Sequence, residues 1–275
     1  MSLKGIDVSS WNGQPFDGKT EAAFSKSSFV IAKATQGTGY VNPACDYAIE
    51  RAKKAGRLWG FYHYAAGGSA KKEAEYFYAK TRGYTKKGIP CLDWESGDNP
   101  AFGKGSWVKA FAKRYHALTG VWPLIYVQAS AVGQIPAYVA KRCGLWVAGY
   151  PTNADSWSVP GFAYSTGKWK AATIWQFSSG GGIDRNVGYL SKNAWHRLAG
   201  RTWYKDKKGN YRYYAPRKMT NPKRCKVYRI KHGKKTFVRW AKAGCTWNVD
   251  MVGSKKKWVR TKYGNYAHYS DLRKK

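Results

Sequence analysis

Along the first 200 residues, short apolar runs alternate with stretches in which apolar and charged residues recur every three or four positions. The runs fall at residues 3–9, 29–35, 58–65, 89–95, 124–128, 145–150 and 173–178, with a short piece around Ile183, and predict strands. Helical spacing predicts helices over 43–55, 70–81 and 106–119, with Pro43 suited to a first turn and Gly56 to a C-terminal cap. Runs such as FVIAKA and IPCLDWE are apolar on both faces, which implies a parallel sheet covered on both sides. About eight strands with intervening helices in some 200 residues fit a β/α barrel short of helices. A doubly wound open sheet is the alternative, but no glycine-rich phosphate fingerprint follows the first strand.

Beyond Gly200 the pattern changes. TWYKDKKGNYRYYA, CKVYRIKHGKKTFVRWA, KKWVRTKYG and NYAHYS alternate aromatic and charged residues, with Gly-Asn and His-Gly pairs placed as turns, and predict a small antiparallel β module. The chain therefore reads as α/β in residues 1–199 and all-β in residues 200–275, with no Pro/Ser-rich linker between.

Charge sharpens that division. The whole chain carries 49 Lys+Arg against 15 Asp+Glu, a formal net charge of +34. Residues 201–275 hold 24 of the basic residues and only Asp206, Asp250 and Asp271, a net of +21, together with four Trp and eight Tyr. Such a balance points to an anionic partner. No run approaches 18 uncharged apolar residues, so no membrane span is expected, and residues 1–13 contain no long apolar segment of the secretory type. Synthesis in a cytoplasm is the expectation. The five cysteines show no C-x-x-C spacing; Cys45, Cys91 and Cys143 read as small buried hydrophobes, while Cys225 and Cys245 would pair only in an oxidising compartment.

Against this basic background, the placement of the few acids is informative. Asp7 interrupts GIDVS, Asp93 and Glu95 interrupt IPCLDWE, and Asp184 follows Ile183. A charge inside a buried strand is costly unless it is paired or functional. Asp7, Asp93 and Glu95 fall late in their strands, where a β/α barrel opens its catalytic mouth. Residues two apart on a strand share a face, so Asp93 and Glu95 project into one space while Trp94 points away. Their repulsion should raise one pKa, leaving a protonated acid beside an ionised partner, as glycosidic bond cleavage requires. Taken alone, D-x-E is more often a structural ion pair or helix cap; four acids at strand ends turn the balance toward chemistry. A closed barrel would also make its first and last strands neighbours, bringing Asp7 beside Asp184.

The blocks GIDVSSWNG, IAKATQGTGYVNP, GFYHYA, LDWE, LWVAGY and IWQFSSGGGIDRN, in that order across residues 3–190, resemble glycoside hydrolase family 25, the lysozymes of the Chalaropsis and phage-endolysin type. The resemblance implies an irregular TIM-like β/α barrel that cleaves the β-1,4 bond from N-acetylmuramic acid to N-acetylglucosamine in peptidoglycan, without cofactor. It places the family's catalytic glutamate on Glu95, its partner aspartate on Asp93, and further acids on Asp7 and Asp184. It also implies an endolysin made in the host cytoplasm that meets the wall after release. Tyr126-Val127-Gln128 departs from the Tyr-Ser/Thr-Asn usual at that strand.

In that reading Glu95 protonates the glycosidic oxygen and later activates water, while Asp93 orients the substrate's own 2-acetamido group as nucleophile; an inverting route through Asp7 or Asp184 stays open. Tyr62, Tyr126, Trp146 and Tyr150 are expected to offer faces to the sugar rings, Gln176 to hydrogen-bond the sugar or a neighbouring backbone group, and Lys33 to pair with a carboxylate. His63 and His116 lack metal-ligand spacing and read as structural, and the glycines at 180–182 read as a turn or a close backbone approach. For the basic tail, anionic wall polymers, nucleic acid and simple solubility compete. It contains no C₂H₂, helix-turn-helix or RRM signature, and KYGNYAHYSDLRKK is similar to the closing segment of bacterial Src-homology-3-type wall-binding barrels, so wall binding is the expectation. A chitinase-like glycosidase is the remaining enzymatic alternative, although the D-x-x-D-x-D-x-E run is absent, with Cys91 two residues and Ile89 four residues before Asp93.

Overall fold

A computed structural model describes residues 2–201, 203–205, 211–213, 217–231, 234–252, 258–261 and 266–274. The chain divides into two compact units, Met1–Gly200 and Arg201–Lys275.

The first unit runs β1 (Leu3–Val8), α1 (Gly18–Ser25), β2 (Phe29–Gln36), β3 (Tyr40–Val41), α2 (Cys45–Lys54), β4 (Leu58–Tyr64), α3 (Ala70–Thr81), β5 (Ile89–Trp94), α4 (Gly105–Thr119), β6 (Leu124–Gln128), α5 (Ala137–Ala140), β7 (Leu145–Ala148), β8 (Ile174–Ser178), β9 (Asp184–Gly188) and α6 (Lys192–Leu198). Eight strands close into a barrel in the order β1-β2-β4-β5-β6-β7-β8-β9, with β9 returning to β1 and β3 forming a short hairpin on β2. The expected β/α barrel is therefore the observed one, and the open sheet is excluded.

One strand departs from the all-parallel expectation. β9 pairs antiparallel with both β8 and β1. Only the tight turn over Gly180–Gly182 joins β8 to β9, and a parallel return would need a crossover of a dozen or more residues. That turn needs glycine: Gly181 and Gly182 have φ of 69° and 78°, and a Cβ on Gly180 would lie 2.3 Å from the Asn153 carbonyl oxygen. The direction of β9 brings its first residue, rather than its last, to the barrel mouth.

Helices α1 and α6 were not foreseen from periodicity, because each is too short to show it. Only Thr20, Ala23 and Phe24 of α1 are buried, and both helices rely on side-chain N-caps, Asp17 to Thr20 N and Ser191 to Ala194 N. The longer α4 buries Trp107, Val108, Phe111, Ala112, Tyr115 and Thr119 at helical spacing. Its aromatic ridge stacks on Trp94 and Phe77, filling the layer between barrel and helices.

The alternation of the strands sorts their residues between the barrel interior and the layer under the helices. Ile31, Cys91, Leu124 and Ile174 pack with Tyr62, Tyr126 and Trp146 in one buried cluster. His63, on the outer face of β4, is fully buried between Thr35 and Glu73 and stacks on Phe111, which makes it structural. Cys45, Cys91 and Cys143 are buried free thiols.

The second unit is all-β. Strands β10 (Trp203–Lys205) and β11 (Tyr211–Tyr213) form a two-stranded ribbon, and β12 (Arg217–Thr220), β13 (Cys225–Lys231), β14 (Lys234–Ala241), β15 (Thr246–Val252), β16 (Trp258–Thr261), β17 (Tyr266–His268) and β18 (Arg273–Lys274) form a sheet ordered β14-β13-β17-β16-β15-β12-β18. Met219, Val227, Trp247, Ala267 and Leu272 make its core. Asn221 supports it by accepting from Trp247 Nε1 at 2.9 Å and donating to the Lys223 and Lys242 carbonyls. Cys225 and Cys245 are unbridged. The turns expected at Gly209-Asn210, His232-Gly233 and Gly264-Asn265, and part of the closing KYGNYAHYSDLRKK segment, lie outside the described residues. No helix among the described residues is long and apolar enough to cross a membrane.

Candidate active site

Four acids converge at one end of the barrel, where β1 and β5 end and β9 begins. Asp7 on β1 and Asp184 on β9 are direct cross-strand partners. Asp93 on β5 sits level with Tyr64 of β4 and Tyr126 of β6, and Glu95 follows one turn of the pleat above it. Trp94, between them, is buried on the opposite face against Trp107 and Phe102.

The carboxyls are held differently. Asp7 Oδ1 accepts from Asn186 Nδ2 at 2.6 Å and Gln176 Nε2 at 2.9 Å. Asp93 is buried, and its Oδ1 has no hydrogen-bond partner in the protein among the described residues. Glu95 is only half-buried. No ion pair engages any of the four among the described residues.

Burial is the main force on all four pKa values, and it raises each. Asp7 is pushed well up by burial and by Asp184, against the opposing hydrogen bonds from Asn186 and Gln176. Burial and then Glu95 push Asp93 well up. Glu95 rises by burial, offset by Tyr64 and Lys33. Asp184 rises to about 6, by burial and then by repulsion from Glu95. An enclosed set of like charges cannot ionise fully, so the site retains protons at pH values where ordinary carboxyls have lost them.

That electrostatic burden has a measurable consequence. Asp184→Asn should stabilise the free protein at pH 8 by about 1–3 kcal/mol, from a shift of roughly two pKa units at 1.36 kcal/mol each. The sign follows from proton binding: Asp184 titrates near 6 when folded but near 3.9 when unfolded. The wild type thus loses stability as pH rises through that window, and the variant does not. Denaturant melts at pH 8 and pH 4 test this; the gain should vanish at pH 4, and an equal gain at both would exclude the ionisation as its source.

Several expected substrate contacts turn out to be internal braces. Trp146 is 1% exposed, and its Nε1 donates to Asn186 Oδ1 at 2.8 Å, so it steadies the residue that holds Asp7. Gln176 is engaged through both ends of its amide: it donates to Asp7 and accepts from Tyr126 OH at 2.9 Å and from Tyr150 OH. Tyr62 and Tyr126 pack edge-on to Trp146 in the barrel interior, whereas Tyr150 is 38% exposed and can meet a ligand. Lys33 does not pair with a carboxylate; its Nζ donates to Gln36 Oε1 at 2.7 Å and lies 4.5 Å from the Tyr64 ring centroid. It still acts at longer range, because Asp93 and Glu95 favour its charge. Burial works against that charge and is the larger influence.

Two contributors lie outside the expected set, Asn186 and Tyr64. Asn186 shares the inner face of β9 with Asp184 by the same two-residue spacing that links Asp93 and Glu95. Tyr64 donates to the Gly97 carbonyl at 2.7 Å and lies against Glu95. Beside β1, Trp11 stands 93% exposed. Among the described residues no group of three metal-ligating side chains occurs.

The arrangement suits acid–base cleavage of a polar bond: a half-exposed carboxyl with a raised pKa beside a buried, unpartnered one. Comparison with known proteins agrees. The sequence profile of Glycosyl hydrolases family 25 matches residues 6–185. An N,O-diacetylmuramidase of Chalaropsis sp is 35% identical over 64% of this chain and 88% of its own length. The lysozyme of Streptococcus phage Cp-9 is 28% identical over 74% of this chain and 59% of its own length. The solved muramidase of Trichobolus zukalii, 29% identical, superposes over 72% of this chain and 98% of its own with a TM-score of 0.58.

Proposed function

Because this chain belongs to glycosyl hydrolase family 25 and is a lysozyme-class glycoside hydrolase acting on peptidoglycan, we propose that Glu95 and Asp93 cleave the β-1,4 bond between N-acetylmuramic acid and N-acetylglucosamine with help from the substrate's own acetamide. The observation that carries the assignment is the unpartnered Asp93 Oδ1 beside the half-exposed Glu95. A buried acceptor without a donor is costly, and the 2-acetamido N–H of a bound N-acetylmuramic acid supplies one. Accepting that bond favours ionised Asp93, so the proton retained by the pair rests on Glu95.

Glu95 then gives its proton to the glycosidic oxygen as the C1–O bond breaks. The acetamide oxygen bonds to C1, forming a cyclic cation whose N–H faces the Asp93 carboxylate. Water next attacks C1 from the departed sugar's side, its proton passes to Glu95, and the bond from C1 to the amide oxygen breaks. Two displacements leave the configuration at C1 retained. Asp184, titrating near 6, adds negative potential toward the developing cation once ionised, while Asn186 and Gln176 hold Asp7 in place beside it. Tyr150 offers an accessible ring at the edge of the site.

The biological setting we infer is that of a phage endolysin, made in the host cytoplasm and reaching the wall after release. Its support is the likeness to the Streptococcus phage Cp-9 lysozyme. Residues 201–275, at +21, act in this reading as a module that holds anionic wall material near the barrel.

Digestion of purified peptidoglycan tests the chemistry. New reducing ends should be N-acetylmuramic acid, and NMR during the first turnovers should show the β anomer. Reducing N-acetylglucosamine would overturn the bond assignment, and a first-formed α anomer would overturn the acetamide route.

A further inference from the structure

The second unit carries a surface that the hydrolytic chemistry does not use. Strand β14 is an edge of the seven-stranded sheet. Its pairing with β13 is interrupted: Val227 faces Arg239 and Tyr228 faces Phe237, so Val238 has no opposite residue. Without that bulge, Phe237 and Trp240, three apart, would point to opposite faces of the strand. With it they come together, their ring centroids 6.2 Å apart, and Tyr228 on β13 packs 6.2 Å from Phe237. Both β14 rings remain open to solvent, Phe237 at 49% and Trp240 at 42%.

Cations frame these rings. The Arg224 guanidinium lies 4.4 Å and the Lys226 ammonium 5.3 Å from the Trp240 ring centroid, and Lys235 Nζ lies 4.8 Å from that of Tyr228. No ion pair engages Arg224 or Lys226 among the described residues. Exposed aromatic rings of this size on a small β unit mark a binding surface rather than a core. Flat rings match the apolar faces of sugars or polyols, and the cations beside them require an anion at each short step along the ligand.

We infer that this face of β13 and β14 is a docking site for a sugar- or polyol-phosphate polymer attached to the bacterial wall, with Trp240 and Phe237 as the platform and Arg224, Lys226 and Lys235 as phosphate contacts. The inference rests on the wall-binding reading of residues 201–275. A repeating polyanion, rather than a peptide bearing one or two carboxylates, is what matches +21 carried on 75 residues.

The test uses the full chain, sedimented at low temperature with two preparations of the same walls, one intact and one stripped of phosphate polymers by hydrofluoric acid. The double variant Phe237→Ala/Trp240→Ala should bind intact walls about tenfold more weakly, the loss expected for removing an aromatic anchor. Trp240→Phe, which keeps an aromatic ring, should bind within about threefold of wild type. Wild type on stripped walls should fall to the level of the double variant on intact ones. Turnover of soluble glycan fragments and the far-UV circular dichroism spectrum of the double variant should both match wild type, so that a loss of wall binding reports the surface and not an unfolded second unit. Equal binding of wild type and double variant to intact walls overturns the site while leaving the module reading in place. Equal wild-type binding to both preparations overturns the ligand class. Wild type sedimenting with neither preparation overturns the module reading itself, and the site with it. Single-stranded DNA that competes better than the released polymer at equal phosphate makes the surface a nucleic-acid site and ends the proposal.

Discussion

Replacing Glu95 with Gln should lower kcat on soluble peptidoglycan fragments about 10³-fold, within the range lost when a general acid is removed. The amide keeps the size of the side chain but has no proton to give a departing sugar oxygen, and it cannot later take one from water. Substrate binding should change far less, so KM should stay within a few-fold. Folding should not suffer. Burial already disfavours the ionised Glu95, and the repulsion it shares with Asp93 and Asp184 disappears with its charge, so Tm should hold or rise near neutral pH. Steady-state kinetics and a thermal melt of the same sample make the check. Retained turnover would remove Glu95 from the acid role, and lost turnover with a collapsed melt would show a structural role instead. In the wild type, the raised Glu95 pKa should extend the active range upward from the usual carboxyl region, with kcat/KM falling on the alkaline side as the proton is lost.

The acids at the centre of that prediction were legible in the sequence for a simple reason. A charge inside an apolar run violates the alternation around it, so Asp7, Asp93 and Glu95 stand out, and the two-residue rule puts Asp93 and Glu95 on one face. The supporting polar residues carry no such mark. Gln176 beside Trp175 reads equally as a sugar contact or as a satisfied core group, and only the positions of Tyr126, Tyr150 and Asp7 around it decide for the latter. Trp146 misleads in the same way, because its burial depends on how the barrel closes. The reversed β9 follows from a loop too short for a crossover, a signal present in the glycine triplet. The bulge beneath Phe237 and Trp240 lies beyond such reading: it is a property of the register between two strands.

The largest effect on stability should come from a residue away from the chemistry. Glu73, at the start of α3, is buried, and its carboxylate accepts from the Gly68 and Ala66 backbone N–H groups at 2.8 and 3.1 Å and meets His63 Nε2 at 3.0 Å. His63 Nδ1 in turn contacts Thr35 Oγ1 at 2.8 Å, so one carboxylate ties β2, β4 and the loop before α3 together. Glu73→Leu fills the space but leaves those donors without an acceptor, and should cost about 3–5 kcal/mol. For a unit of this size that lowers Tm by about 10 °C. Burial holds His63 below its ordinary pKa, and Glu73 is the main force opposing that shift. Stability supported by the neutral imidazole is therefore complete above about pH 6.5 and lost as pH falls below it. Without Glu73 the folded-state pKa sinks further, and the acid-side loss should steepen. Melts of wild type and Glu73→Leu between pH 7.5 and pH 5 make the check: parallel curves would mean that the carboxylate braces the loop alone and exerts no hold on the histidine.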